Sequence, residues 1–262
     1  MPFVCGCGAC GWCRAGDAQV CPDQQQPGFT HWGSFAERVA LHAADTNLVR
    51  IPDDVSFAAA AALGCRFATA FRALTGRAHV QPGEWVVVVG AGGVGLSVVM
   101  IARALGAHVV AVDRNQAALD AASALGADAV VVADGVDVPD AVRRITGGGA
   151  HVSIDAVGEE QTAADAVLSL RRRVQVGLLP SETGLSGMPM ARVIAWELDV
   201  LGSHGMAAVD YPAMLELIAE GRLRPQELIE RTISLAEAAA LLPTFNRATL
   251  AGMTMIDPGV LA

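Results

Sequence analysis

An apolar run, Trp85-Val86-Val87-Val88-Val89, ends in Gly90-Ala91-Gly92-Gly93-Val94-Gly95 and resumes with Val94, Val98, Ile101 and Leu105 at helical spacing. This order constrains the fold more than any other feature of the chain. Five consecutive apolar residues, four of them β-branched, describe a strand buried on both faces, which needs a layer of structure above and below it. From Trp85 to Ala102 there are eighteen residues without a charge, the length of a membrane-spanning helix. Four glycines in six residues make a poor continuous helix, so strand, turn and helix is the preferred reading.

The alternation continues along the chain. Strands are expected at His108–Val112, Ala129–Ala133, His151–Ala156, Val174–Leu178 and Leu198–Gly202. Helices are expected over residues 115–125, Val138–Ile145 and Gln161–Leu170, with Gly147-Gly148-Gly149 as a corner. Six strands with intervening helices imply an α/β fold, a doubly wound six-stranded parallel sheet. Upstream, Ser34–Leu41 reads as a strand, Phe57–Leu63 as a helix, Gly64-Cys65 as a break and Ala68–Thr75 as a second helix. Downstream, a helix is expected at Tyr211–Glu220, a short strand near Thr232, a helix at Leu235–Leu242 and a strand at Met253–Ile256. The boundaries read from the pattern are 1–64, 65–206 and 207–262.

Gly90-x-Gly92-x-x-Gly95 sits where a dinucleotide-binding turn belongs. Gly90 permits the tight turn, Gly92 lets the backbone approach a pyrophosphate, and Gly95 allows close packing of helix on strand. Asp113 follows eighteen residues after Gly95, at the end of the second strand. A carboxylate there accepts hydrogen bonds from ribose hydroxyls and repels a 2′-phosphate, which favours NAD over NADP, although the adjacent Arg114 blunts that preference.

Near the start, Cys7, Cys10, Cys13 and Cys21 form C-x2-C-x2-C-x7-C. Such spacing lets four thiolates converge on one tetrahedral zinc ion, a closed structural site with no open position for a substrate. Six cysteines in 262 residues are too few for a disulfide scaffold, and no charged segment precedes an apolar one as in a secretory signal. A cytoplasmic, metal-binding role for the cysteines is therefore expected. With hydrophobic residues at 53%, charged residues at 17% and a net charge of −9, disorder and a nucleic-acid partner are both disfavoured. No membrane partner is expected.

With the cysteine spacing, the GAGGVG turn and Asp113 in one order, the chain resembles the zinc-dependent medium-chain alcohol dehydrogenases. Gly33-Ser34-Phe35-Ala36-Glu37 is similar to a "G-G-F-A-E" segment of that family, and Ala62-Leu63-Gly64-Cys65 to the approach to its cofactor domain. The resemblance implies a Rossmann cofactor domain and a β-rich, GroES-like catalytic domain bearing a zinc lobe. It implies structural zinc on Cys7, Cys10, Cys13 and Cys21, and Cys65 as one ligand of a catalytic zinc. Thr69 would line the nicotinamide. Gly90, Gly92, Gly93, Val94, Gly95, Asp113, Arg114, Gly177, Leu178, Gly202 and Ser203 would contact the NAD cofactor. The implied chemistry is hydride transfer between an alcohol carbon and nicotinamide C4, the catalytic zinc acting as a Lewis acid. A small alcohol or aldehyde substrate and a homodimer or homotetramer assembled through the Rossmann domain are also implied.

The chain departs from the family pattern in one respect. The family's "C-G-T-D"-like and "G-H-E" segments, which carry its other catalytic-zinc residues, do not occur here, and Cys65 alone does not make a three-ligand site. Cys5, His31 and His42 are weak substitutes, and His204 reads as a polar lining residue. Two readings stay open: an alcohol dehydrogenase-type oxidoreductase shortened at its N-terminus, and a remnant that binds zinc and NAD without turnover. A zinc-free, NADPH-dependent quinone reductase is a third, opposed by the cysteine quartet and by Asp113. Shortening would leave strand edges without partners, and the chain is expected to be less stable than its relatives and prone to aggregate. Size-exclusion chromatography and thermal melting test this: a monodisperse protein with a sharp two-state melt would refute it.

Overall fold

A computed structural model describes residues 1–178, 187–244 and 252–259, and for 173–178 the backbone alone. In chain order the elements are α1 (Gly11–Arg14), α2 (Ala44–Asn47), α3 (Phe57–Ala62), α4 (Cys65–Arg72), β1 (Trp85–Val89), α5 (Gly93–Ala104), β2 (His108–Asp113) and α6 (Gln116–Ala124). There follow β3 (Ala129–Val132), α7 (Val138–Thr146), β4 (Ala150–Asp155), α8 (Glu160–Leu168), β5 (Leu170–Leu178), α9 (Met190–Trp196) and β6 (Asp199–Gly202). The last are α10 (Tyr211–Ala219), β7 (Ile229–Ile233), α11 (Leu235–Leu241) and β8 (Met253–Ile256). Two compact units divide them: residues 69–204 form one, and residues 1–68 together with 205–262 form the other.

The unit of residues 69–204 holds a six-stranded sheet in the order β3-β2-β1-β4-β5-β6, every pair parallel. This is the Rossmann doubly wound arrangement, in which the strand order reverses between β1 and β4. The valines of β1 are buried on both faces, as the unbroken apolar run requires. Val87, Val89, Val110, Val112 and Val131 share a core with Val142 of α7 and Ala166 and Val167 of α8. On α5, Val98, Val99, Ile101 and Ala102 are fully buried. No helix among the described residues is long and apolar enough to cross a membrane; the uncharged run divides into β1 and α5.

The unit of residues 1–68 and 205–262 contains the β7–β8 parallel pair and isolated bridges at Cys5–Gln25 and Pro27–His31. The hydroxyl of Tyr211 on α10 lies 3.5 Å from the carbonyl of Leu63. The expected strand at Ser34–Leu41 is not formed: the backbone bends there, and residues 34–40 are exposed. A strand needs a ladder partner, and among the described residues none runs beside this segment. Phe29, Trp32 and Phe35 stand in solvent, Trp32 at 93% exposure, around a cavity of about 930 Å³ lined by residues between Pro27 and His42.

Three further differences have local causes. Cys65 opens α4 instead of lying in a break, and that helix widens into a π turn over Ala73–Arg77. β5 begins at Leu170, four residues before the apolar run that suggested it, because Leu170 pairs with Ala150 and the register then shifts, so that the arginines fall between this pair and the next, Val152 with Gln175. The unexpected α9 follows Pro189 and is held by its last residue: the guanidinium of Arg192 lies 4.0 Å and that of Arg172 4.8 Å from the Trp196 ring.

At the amino-terminal edge of the sheet, His151 ties three strands. Its Nδ1 accepts the Trp85 N–H at 2.9 Å, and its Nε2 faces Nη1 of Arg171 at 2.7 Å. Arg171 also donates through Nε and Nη2 to the Gly149 carbonyl. Both ring nitrogens meet donors, and a protonated imidazole accepts from neither. Burial first, and the Arg171 charge second, hold the His151 pKa below its ordinary value. The unfolded chain therefore binds a proton more readily than the folded one. The contribution of His151 is complete above the unfolded value, ~6.5, and is lost as pH falls below it. Urea midpoints measured between pH 8 and pH 5 should fall on the acid side in the wild type and fall less steeply in His151→Gln.

Candidate functional site

At the carboxyl edge of the sheet, the β1–α5 turn is shaped by contacts that admit only glycine. Gly90 has φ +96° and donates to the Val112 carbonyl at 2.7 Å. A Cβ on Gly95 would overlap the Gly90 carbonyl oxygen. Gly92 is different. It is the N-cap of α5, exposed, and a Cβ there would meet nothing within 4 Å. No side chain caps this helix. Its first amides thus face an open space at the positive end of a helix dipole, an arrangement that accepts a phosphate.

Asp113, the last residue of β2, turns back onto this loop. Its Oδ2 accepts the Ala91 N–H at 2.7 Å and its Oδ1 the Asn115 N–H at 2.8 Å. The carboxylate is fixed in direction and partly exposed, with lone pairs left for ribose hydroxyls. Arg114 beside it is exposed, and Gly93 and Val94 in the first turn of α5 are half-buried. Gly177 and Leu178 end β5 in register with Leu201 and Gly202 of β6. Next to them Ser203 is buried, its Oγ 3.5 Å from the Thr69 carbonyl, while Arg77 Nε donates to the Gly202 carbonyl at 3.0 Å. Thr69 is itself buried. Strand ends β1, β2, β5 and β6 thus bring the sequence-predicted cofactor positions to one edge of the sheet, at and beyond the point where the strand order reverses.

The cysteine lobe lies in the other unit. All four sulfurs fall within 4.8 Å of one another, and the cysteines are free thiols. Cys10 Sγ lies 3.5 Å from Cys13 Sγ and 3.7 Å from Cys21 Sγ. A tetrahedron with Zn–S of ~2.3 Å has S···S edges of about 3.8 Å, so the donor set fits zinc. The amides of Ala9 and Cys10 hold the Cys7 thiol down, to about 7, whereas burial pushes Cys13 up to about 12 and raises Cys21. Among the described residues this is the one group of three or more metal-ligating side chains. Cys65 is exposed at the start of α4 and belongs to no such group. The rings of His31 and His42 meet edge to face at 5.7 Å. Cys5 is buried, its Sγ 3.5 Å from the Pro2 carbonyl.

One residue of the lobe escapes any sequence reading. Asn47, fully buried on α2, accepts the Gly6 N–H at 3.0 Å and donates to the Gly6 carbonyl at 2.9 Å and the Ala43 carbonyl at 3.0 Å. This clamp seats Gly6 against the cluster, where a Cβ would come within 2.8 Å of Cys13 Sγ.

Comparison with known proteins finds relatives among the dehydrogenases. Residues 93–220 match the family described as zinc-binding dehydrogenase. An alcohol dehydrogenase of Geobacillus stearothermophilus is 34% identical over 223 residues, which are 83% of this chain and 64% of that protein. The chain therefore spans less than two thirds of that relative's length. The NAD-dependent alcohol dehydrogenase of Sulfolobus acidocaldarius is 30% identical over 97% of this chain and 73% of its own length. The crystal structure of an NAD-dependent alcohol dehydrogenase, 30% identical, aligns with a TM-score of 0.88 over 98% of this chain and 74% of that one.

The two glycines should separate fold from site. Gly95→Ala is expected to lower stability by about 2–4 kcal/mol in urea titrations, through overlap with the Gly90 carbonyl. Gly92→Ala should stay within about 0.5 kcal/mol of wild type. Asn47→Ala, which strands the buried peptide group of Gly6, should cost about 2–3 kcal/mol in the same assay.

Proposed function

Since the chain belongs to the zinc-dependent medium-chain alcohol dehydrogenase family, we propose that it serves an oxidoreductase that moves a hydride between a small alcohol or aldehyde and NAD, with a structural zinc in its cysteine lobe. The observation that carries the reading is the Asp113 carboxylate bonded at 2.7 Å to the glycine turn. It joins the acceptor for a ribose to the amides that take a pyrophosphate.

The dinucleotide would lie on Gly90, Gly92, Gly93, Val94 and Gly95, with its adenosine ribose at Asp113 and Arg114 at the margin. Gly177, Leu178, Gly202, Ser203 and Thr69 are the positions for the nicotinamide end. Asp113 disfavours a 2′-phosphate by charge, which supports NAD as the partner. When bound, NAD would supply the hydride acceptor, whereas Cys65 belongs to no group of three or more metal-ligating side chains among the described residues and does not by itself hold a Lewis-acid zinc. The chain's own work is to orient the cofactor, through the fixed carboxylate and the fixed glycine turn. Cys7, Cys10, Cys13 and Cys21 hold the lobe closed.

A second reading, binding of NAD and zinc without turnover by this chain alone, is favoured by one observation. Among the described residues Cys65 belongs to no group of three or more metal-ligating side chains. Metal content and turnover decide between the two.

Elemental analysis of the purified chain should find one zinc, retained in Cys65→Ser and lost in Cys10→Ser. NADH should bind at least about tenfold more tightly than NADPH, and Asp113→Ala should reduce that difference. Gly92→Ala should weaken NADH binding by about tenfold or more while melting like the wild type. Steady-state oxidation of primary and secondary alcohols with NAD tests the catalytic reading. A second zinc together with robust turnover would sink the reading of binding alone, and no NADH binding would sink both.

A further inference from the structure

The strand that meets β1 at the reversal of the sheet, β4, ends in a carboxylate that the dinucleotide motif does not account for. Asp155 is 1% exposed. Its Oδ1 accepts the N–H of Val157 at 3.0 Å and that of Gly158 at 3.1 Å. The amide between strand and loop, Ala156 N–H, donates to the last carbonyl of β1, Val89, at 2.8 Å. Three successive amides after β4 are therefore all committed, and Gly158 takes φ +84° to complete the turn. A buried polar oxygen is unfavourable unless donors satisfy it, and here two amides do. The loop is held because two of its amides share one buried acceptor, Asp155 Oδ1.

What this loop carries is Val157. Its side chain is 46% exposed and leans on the glycine turn: a Cβ on Gly90 would come within 2.5 Å of Val157 Cγ2. The turn is therefore braced from both neighbouring strands. Asp113 of β2 bonds Ala91 directly, and Asp155 of β4 presses Val157 against Gly90. We propose that Asp155 is a positioning residue for the dinucleotide crevice, acting through Val157, which forms an apolar wall beside the phosphate turn. The proposal rests on the NAD reading given above.

Fluorescence titration of the full chain with NADH tests it, together with amide hydrogen exchange at Gly158. Asp155→Ala should weaken NADH by about tenfold and speed exchange at Gly158, because the loop loses its acceptor. Asp155→Asn keeps the Oδ1 acceptor and should restore affinity to within about threefold of wild type. Val157→Ala, at an exposed position that does not threaten folding, should weaken NADH by a few-fold and serves where Asp155→Ala does not fold. Wild-type binding with unchanged affinity in Asp155→Ala or, where that variant does not fold, in Val157→Ala overturns the proposal. So does equal loss in Asp155→Asn and Asp155→Ala, which would show that the acceptor is not what matters. A blank wild-type titration removes the NAD reading itself and this proposal with it, and is distinguished by appearing before any substitution is made.

Discussion

The closest approach on which the rest of the sheet depends is between Gly95 and the carbonyl of Gly90. Helix α5 descends directly onto the end of β1 because no side chain stands between them. That contact fixes where the helix begins, and so where its first amides point. It also fixes the height of Ala91, which is what lets Asp113 reach the turn from β2. The parallel register from β3 to β6 then brings the remaining strand ends to the same edge. A single side chain at position 95 would displace the helix, and with it the polar constellation that the turn organises.

The features legible in the sequence were those with a short-range physical code. The unbroken valines of β1 require burial on both faces, and the helix-to-strand alternation follows from periodicity alone. The cysteine spacing encodes convergence because a metal imposes its own geometry on a short loop. What escaped depends on partners distant in sequence. Asn47 binds Gly6 across forty-one residues, and nothing near Asn47 announces it. Asp155 acts on amides next to it in sequence, but Val157 meets Gly90 only across sixty-seven residues. Ser34–Leu41 has the composition of a strand but no neighbour to pair with, so alternation there misled. α9 has no amphipathic pattern of length, and one contact of its anchor, Arg172 over the ring of Trp196, joins residues twenty-four positions apart.

The two units are stabilised by different physics. The sheet unit buries a dense layer of valine, isoleucine and alanine on both faces. Among its described residues the other unit is built from short helices and turns, one two-stranded pair and a sulfur cluster, and it leaves Phe29, Trp32 and Phe35 in water. The lobe compensates with directional contacts, the Asn47 clamp and the converging thiols, where hydrophobic burial is thin.

The split of one unit between both ends of the chain has a kinetic corollary. Residues 69–204 are contiguous, and their strands pair close to the order in which they are made, so that unit can close on itself during synthesis. The other cannot. The hydroxyl of Tyr211 meets the carbonyl of Leu63 across 148 residues, and β8 lies next to the last residues of the chain. Closing so long a loop on a coil would be slow; a folded insert brings the two ends near first and turns a long search into a short one. On the ribosome the cysteine cluster and its Asn47 clamp can close early, but Leu63 must wait for Tyr211, which is made only after the contiguous unit.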